Sequence, residues 1–272
     1  MRYGVCTWIF GEESLAETAA RLAAFGYDGV ELLGDLARYD AHEVNRVLGE
    51  HGLAVLSLTP ANVDLAHPDT ALRQQAVDYY YRLLDFAAAV GMPIVCCHGA
   101  VGRVRAVSSY GEEWTVYVEA VRCVAERAQE SDLRIAMEVL NRYEAHLLNS
   151  AEEGLRFIEQ VGHENVGLLL DAYHMNIEEA DLRSAIFAAG DRLFLFHAAD
   201  SNRQAVGRGH TDFLGLMRTL RDTGYDGSII VECTASGPDP FTPVKATGWR
   251  DEVSRFAEES LKLLRSYQQI TR

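Results

Sequence analysis

Four polar residues close four apolar runs: Glu138 in RIAMEVL, Asp171 in NVGLLLD, His197 in LFLFHAA and Glu232 in GSIIVE. They stand 33, 26 and 35 residues apart, each gap the length of one strand-plus-helix unit. Three carboxylates and one imidazole make a hard, oxygen-rich donor set. Such a set suits Mn²⁺, Mg²⁺ or Co²⁺ better than a structural cysteine-type zinc centre. Taken singly, a glutamate at a strand end reads as a salt-bridge partner, and a histidine in LFLFHAA as a core histidine. Taken together, the bland reading fails, because burying three carboxylates at one point without a cation is very costly.

Something must hold the four side chains together, and the rest of the sequence indicates what. Eight apolar runs are expected to be strands: residues 3–9, 29–33, 53–59, 93–98, 134–140, 165–171, 193–199 and 227–232. Their near-continuous hydrophobicity is that of parallel strands buried on both faces. Helical patterns lie between them. Ser14-Leu-Ala-Glu17 reads as a capping box, with Leu15, Ala19 and Leu22 on one face and Gly26 as the stop. Leu72, Ala76, Leu83, Leu84 and Ala87 mark an amphipathic helix ending at Gly91. Ser150 opens another, and residues 252–267 read as a closing helix. Eight strand–helix units within 272 residues predict a single α/β domain, residues 1–272, folded as a (β/α)8 TIM barrel. No G-x-G-x-x-G follows the first run, which disfavours a doubly wound dinucleotide-binding sheet. Gly-Tyr-Asp-Gly occurs before the second and the eighth strand, as shared turn chemistry. The longest irregular stretch, residues 234–247, is a candidate lid or subunit contact.

A barrel of this kind keeps its active site at the C-terminal strand ends, where the four residues fall. The formal charge of −15 opposes binding to a phosphate backbone, so no nucleic-acid partner is expected. Five cysteines without a C-x-x-C point to reduced thiols, and Cys96 and Cys97 should face opposite sides of their strand. No leader-like segment and no run of about 20 apolar residues is seen, so a cytoplasmic protein without a membrane partner is expected.

The segments carrying these residues resemble a known family. Glu138-Val-Leu-Asn141-Arg142-Tyr-Glu144, Leu170-Asp171-Ala-Tyr-His174-Met-Asn176, His197-Ala-Ala-Asp-Ser-Asn202-Arg203, Gly207-Arg-Gly209-His-Thr-Asp and Gly224-Tyr-Asp-Gly-Ser-Ile-Ile-Val-Glu232 are similar to the ketose 3-epimerases. Tagatose and allulose (psicose) 3-epimerases typify that group, within the xylose-isomerase-like barrels. The resemblance implies that Glu138, Asp171, His197 and Glu232 hold one Mn²⁺-type ion, and that Glu138 and Glu232 double as acid and base. It also implies that Glu144, His174 and Arg203 grip a small-molecule sugar, and that the chain forms a homodimer or homotetramer. The expected reaction is divalent-metal-dependent epimerisation of a small ketose at C3 through an enediolate, with a base on each face of the carbon.

Three other readings remain open from sequence. An aldose–ketose isomerase, or one of hydroxypyruvate or keto-inositol type, would use the same metal set. An endonuclease IV-like repair enzyme would need several zinc ions, but the third strand ends in Leu58-Thr59-Pro60-Ala61-Asn62 without a histidine. A non-catalytic sugar-binding barrel would be signalled by a lost ligand, and none is lost. Among the remaining polar residues, His98 is expected in the pocket or in a core hydrogen bond, and Asp212 as a helix N-cap. Trp8 and Trp114 are candidates for stacking on a sugar or for packing. Cys233 should point away from the site, and Glu31 should point into the barrel without an assigned role.

Overall fold

A computed structural model describes residues 1–91, 94–237 and 247–271. Eight parallel strands close into a barrel in chain order. They are β1 (Arg2–Cys6), β2 (Gly29–Leu33), β3 (Ala54–Thr59), β4 (Ile94–Cys97), β5 (Ile135–Val139), β6 (Val166–Asp171), β7 (Leu193–Ala198) and β8 (Ser228–Val231). The closure pairs Tyr3 with Ile229 and Val5 with Val231. The (β/α)8 expectation is therefore met. Every residue of β5, β6 and β7 is buried, which accounts for the lack of alternation in their sequences.

The helices form the outer layer: α1 (Leu15–Phe25), α2 (Ala41–Glu50), α3 (Thr70–Ala89), α4 (Tyr110–Gln129), α5 (Ala151–Val161), α6 (Ala172–Glu178), α7 (Leu182–Ala189), α8 (Phe213–Asp222) and α9 (Trp249–Thr271). Their starts follow local chemistry. Ser14 and Glu17 form the reciprocal capping box, and Gly26 ends α1 at φ 91°, a left-handed conformation that glycine adopts without strain. Ser150 and Asp212 cap α5 and α8 as expected. Short α6 begins at Asp171 itself, so the last residue of β6 is also a helix cap.

Some boundaries differ from expectation. The first strand stops at Cys6, and residues 7–10 turn into a 3₁₀ helix, because Thr7 Oγ1 accepts the Leu33 N–H and draws the chain across β2. An apolar run does not distinguish these two conformations. Leu72 lies 45% exposed, so α3 buries Ala76, Leu83, Leu84 and Ala87 without it. Strand β8 ends at Val231, although Glu232 N still donates to Ala198 O at 3.2 Å. Of the irregular stretch 234–247, residues 238–246 lie outside the described residues, as does Pro93 at the expected start of β4. Among the described residues no helix is long and apolar enough to cross a membrane.

The two faces of β4 behave as predicted. Cys96 Sγ points into the barrel, 3.4 Å from Glu31 Oε2, while Cys97 faces Tyr80 and Tyr117 on α3 and α4. All five cysteines are free.

Candidate active site

Strand ends deliver the site. Register pairs Asp171 with His197 across β6 and β7, so both leave the sheet at one level. Glu138 comes from β5 and Glu232 from the residue after β8. One ligand atom from each of the four lies within 4.8 Å of all the others, and all four residues are buried. Asp171 Oδ1 caps α6 by accepting Tyr173 N at 2.8 Å. Its Oδ2 has no hydrogen-bond partner, and neither has His197 Nδ1.

Burial and crowding show in the protonation equilibria. Burial, then the charge of Glu232, pushes Glu138 well above the carboxylate range and Asp171 up to about 8. Burial would raise Glu232 as well, but the charges of His197 and Arg203 outweigh it and hold it well below that range. Adding positive charge at this point would relieve the group. A cluster of three carboxylates and an imidazole with two unpartnered buried atoms fits a divalent cation.

Glu31 organises one wall. Its fully buried carboxylate receives Ser57 Oγ at 2.6 Å, Thr59 Oγ1 at 2.5 Å, Cys6 Sγ at 3.0 Å and His197 Nε2 at 3.0 Å. Burial would raise it, but the His197 charge and the Ser57 hydroxyl bring it down to about 2. Because Nε2–H donates to Glu31, Nδ1, which faces Glu232 Oε2 at 3.4 Å, is the nitrogen available to a cation once its proton leaves. With a carboxylate on each side, His197 sits well above the imidazole range although burial opposes its charge.

His174, on α6, has the opposite electronics. Nδ1 accepts from Asn141 Nδ2 at 2.7 Å and Asn141 N at 3.3 Å, so the proton belongs on Nε2. Burial, then the nearby Arg203 charge, keeps the ring neutral. Its Nε2–H has no hydrogen-bond partner and points at Asp171 Oδ2 at 3.7 Å and Glu138 Oε1 at 4.0 Å. Asn141 also donates to Glu144 Oε1 at 3.0 Å.

Arg203 closes the opposite wall. It bridges Glu144 Oε1 at 3.3 Å and Glu232 Oε2 at 3.2 Å, with its guanidinium 4.7 Å from the Tyr173 ring centre. Its φ of 59° is left-handed, uncommon for arginine. Two backbone bonds impose it, Arg203 N to Asp200 O and Thr234 N to Arg203 O. Asp200 fastens the same loop by accepting the N–H groups of Ser201, Gly207 and Thr211. Gly209 approaches so closely that a Cβ there would sit 2.2 Å from Asp200 Oδ1. Trp8 Nε1 donates to Glu232 Oε1 at 3.2 Å.

The model of one family, described as a xylose isomerase-like TIM barrel, matches residues 19–265. The chain belongs to that family. Similar curated members include a D-psicose 3-epimerase from Ruminiclostridium cellulolyticum, 32% identical over 257 residues that span 89% of this chain and 85% of the relative. A ketose 3-epimerase from Arthrobacter globiformis is 32% identical across 85% of this chain and 82% of its own length. A crystal structure of D-psicose 3-epimerase from Clostridium cellulolyticum H10, solved with D-tagatose, superposes with a TM-score of 0.89 at 26% identity, covering 98% and 99% of the two chains. Family and relatives place the chain among the isomerase-class enzymes, with the sugar epimerases.

Within this family member, the barrel brings together all seven residues singled out from sequence. Trp8 reaches the site, whereas Trp114 packs in the outer layer on Phe157 at 5.3 Å. His98 is buried, with Nδ1 2.6 Å from Gly99 O, and His210 is exposed on the loop after β7. Cys233 is buried and neighbours Tyr27. Sequence reasoning gave no role to Glu31, Asn141 or Asp200. Glu31 did leave a signal, a lone charge inside the buried run GVELL.

Proposed function

We propose that this chain epimerises a small free ketose at C3, moving a proton at that carbon between Glu138 and Glu232. The observation that carries the reading is the convergence of these two carboxylates on one buried point from strands three positions apart around the barrel. The ketose 3-epimerase names of the relatives support the same reaction. Glu138, Asp171, His197 and Glu232 would hold one divalent ion of the Mn²⁺, Mg²⁺ or Co²⁺ type, with Mn²⁺ first on the family resemblance. When bound, the ion supplies charge that offsets the enediolate oxygens at C2 and C3.

The protein residues do the rest. A proton on C3 is acidified only weakly by the neighbouring C2 carbonyl, so the base must be held in place before it arrives. Glu138 takes the C3 proton on one face, and Glu232 returns one on the other, which inverts the carbon. The reverse reaction uses them in the opposite order. His174 offers its Nε2–H to a sugar hydroxyl, and Asn141 fixes that tautomer. Arg203 and Glu144 grip further hydroxyls. We also propose a cytoplasmic homodimer or homotetramer with no nucleic-acid partner.

The test uses Mn²⁺-loaded protein, a panel of free ketoses and D₂O. The expected result is C3 epimers carrying deuterium at C3, with both products lost in Glu138→Gln and Glu232→Gln. Aldose products or label at C1 would instead assign an aldose–ketose isomerase.

A further inference from the structure

We propose that the barrel holds a second, thiolate-containing metal set, formed by Cys6, Glu31, His197 and Glu232, which takes thiophilic divalent ions such as Cd²⁺ or Zn²⁺ and excludes an ion from the first set. Its consequence for activity rests on the function proposed above, because His197 and Glu232 belong to both sets. One ligand atom from each of these four residues also lies within 4.8 Å of all the others, and all four are buried. Cys6 Sγ is 3.0 Å from Glu31 Oε1 and 3.6 Å from Glu232 Oε1, so the sulfur already sits between two carboxylates. His197 lies between the same two residues, 3.0 Å from Glu31 and 3.4 Å from Glu232. Its Nδ1 is buried without a hydrogen-bond partner.

The two sets differ in chemical character. The first replaces sulfur and Glu31 with the oxygens of Glu138 and Asp171. Hard ions prefer that set, and soft or borderline ions prefer the set with sulfur. Loading the second set replaces the Cys6 S–H bond with a metal–sulfur bond, and the thiol proton leaves to solvent. No oxidation is involved. Because both sets draw on His197 and Glu232, an ion fully coordinated in one leaves the other set two protein ligands short, and occupancy is exclusive in this proposal. Cys96 also meets Glu31, but at the other oxygen, 3.4 Å from Oε2.

The test titrates Cd²⁺ into metal-free full-length protein and reads the ultraviolet cadmium–thiolate charge-transfer band. The expected result is a band saturating at one Cd²⁺ per chain. In Mn²⁺-loaded protein the growing band should be matched by free Mn²⁺ in the electron paramagnetic resonance spectrum. The band should vanish in Cys6→Ser and Cys6→Ala, each checked for folding by circular dichroism, and persist in Cys96→Ser. Absence of the band in the native chain, its survival in both Cys6 variants, or its growth without release of Mn²⁺ would overturn the proposal. Glu138→Gln separates the two readings, because Glu138 belongs only to the first set. Mn²⁺ affinity should fall at least tenfold there while the cadmium band persists. Unchanged Mn²⁺ affinity would count against the first set and leave the cadmium result standing.

Discussion

Replacing Glu31 by glutamine probes whether this residue sets the donor atom of His197. The carboxylate is fully buried and receives hydrogen bonds from Ser57, Thr59, Cys6 and His197, at 2.5 to 3.0 Å. As an anion it can only accept, which holds a His197 proton on Nε2 and makes Nδ1 the nitrogen that gives up its proton when a cation binds. Glutamine is almost isosteric but presents an NH₂ on one side. If that NH₂ takes the Oε2 position, it faces Nε2 and Ser57, and the His197 tautomer reverses so that Nδ1 carries the proton. If it takes the Oε1 position, the buried Thr59 hydroxyl and the Cys6 thiol lose their acceptor, at a cost of about 1–3 kcal/mol. Loss of such an outer partner typically weakens metal binding about 10–100-fold, or about 1.4–2.7 kcal/mol. The assay is Mn²⁺ titration followed by electron paramagnetic resonance, with circular dichroism to confirm the fold. A weakening within that range is expected for Glu31→Gln. A folded variant with Mn²⁺ affinity within twofold of the native protein would refute the reasoning.

Three further predictions concern stability. Glu113 is unexposed, pairs with Arg103, accepts Val107 N at 2.6 Å and Ser108 N at 2.9 Å, and bonds with His146 Nε2 at 2.7 Å; burial raises it, but Arg103 and then the Ser108 and Val107 N–H groups hold it at about 2 against an ordinary 4.5. A depressed carboxylate stabilises the fold fully above its unfolded value and loses that contribution as pH falls from about 4.5 to about 2, so on the order of 3 kcal/mol should disappear from urea melts across that window in the native chain and much less in Glu113→Gln. Mn²⁺ at 100 times its dissociation constant should stabilise the native protein by about 2.7 kcal/mol, raising Tm by about 5–10 °C over chelator-treated protein. Glu138→Gln should raise the Tm of the chelator-treated form, because it removes a carboxyl that folding forces to stay protonated, and shrink the Mn²⁺ increment; an unchanged increment would exclude Glu138 from the metal set.

Much of the fold was legible because it rests on local rules. Continuous apolar runs of four to six residues recur with helical patterns and caps between them, and that rhythm admits few architectures. What was misread fell where two conformations share one pattern. Residues 7–10 are as apolar as a strand, yet the Thr7 hydroxyl bonds across to Leu33 and starts a 3₁₀ turn. Leu72 obeys the helical period but lies in the first turn of α3, at the exposed rim. Neither outcome depends on composition, and both depend on what packs opposite.

The site was legible in a different way. Spacing alone aligned Glu138, Asp171, His197 and Glu232, because parallel strands in a closed barrel end at a common level. Spacing cannot show which carboxylates already have donors. Glu31 and Asp171 are both fully buried acids on strands, yet they end in opposite states. Glu31 is surrounded by hydroxyls, thiols and an imidazole, and is held at about 2. Asp171 has one backbone donor on Oδ1 and none on Oδ2, and is pushed up to about 8. Glu138 has His174 Nε2 only at 4.0 Å, beyond hydrogen-bond distance. The buried carboxyl oxygens without donors thus belong to Glu138 and Asp171, whose ionisation burial and the Glu232 charge oppose. A cation fits where these buried carboxyl oxygens converge without donors. Locating it needed the network around Glu31 as much as the four residues themselves.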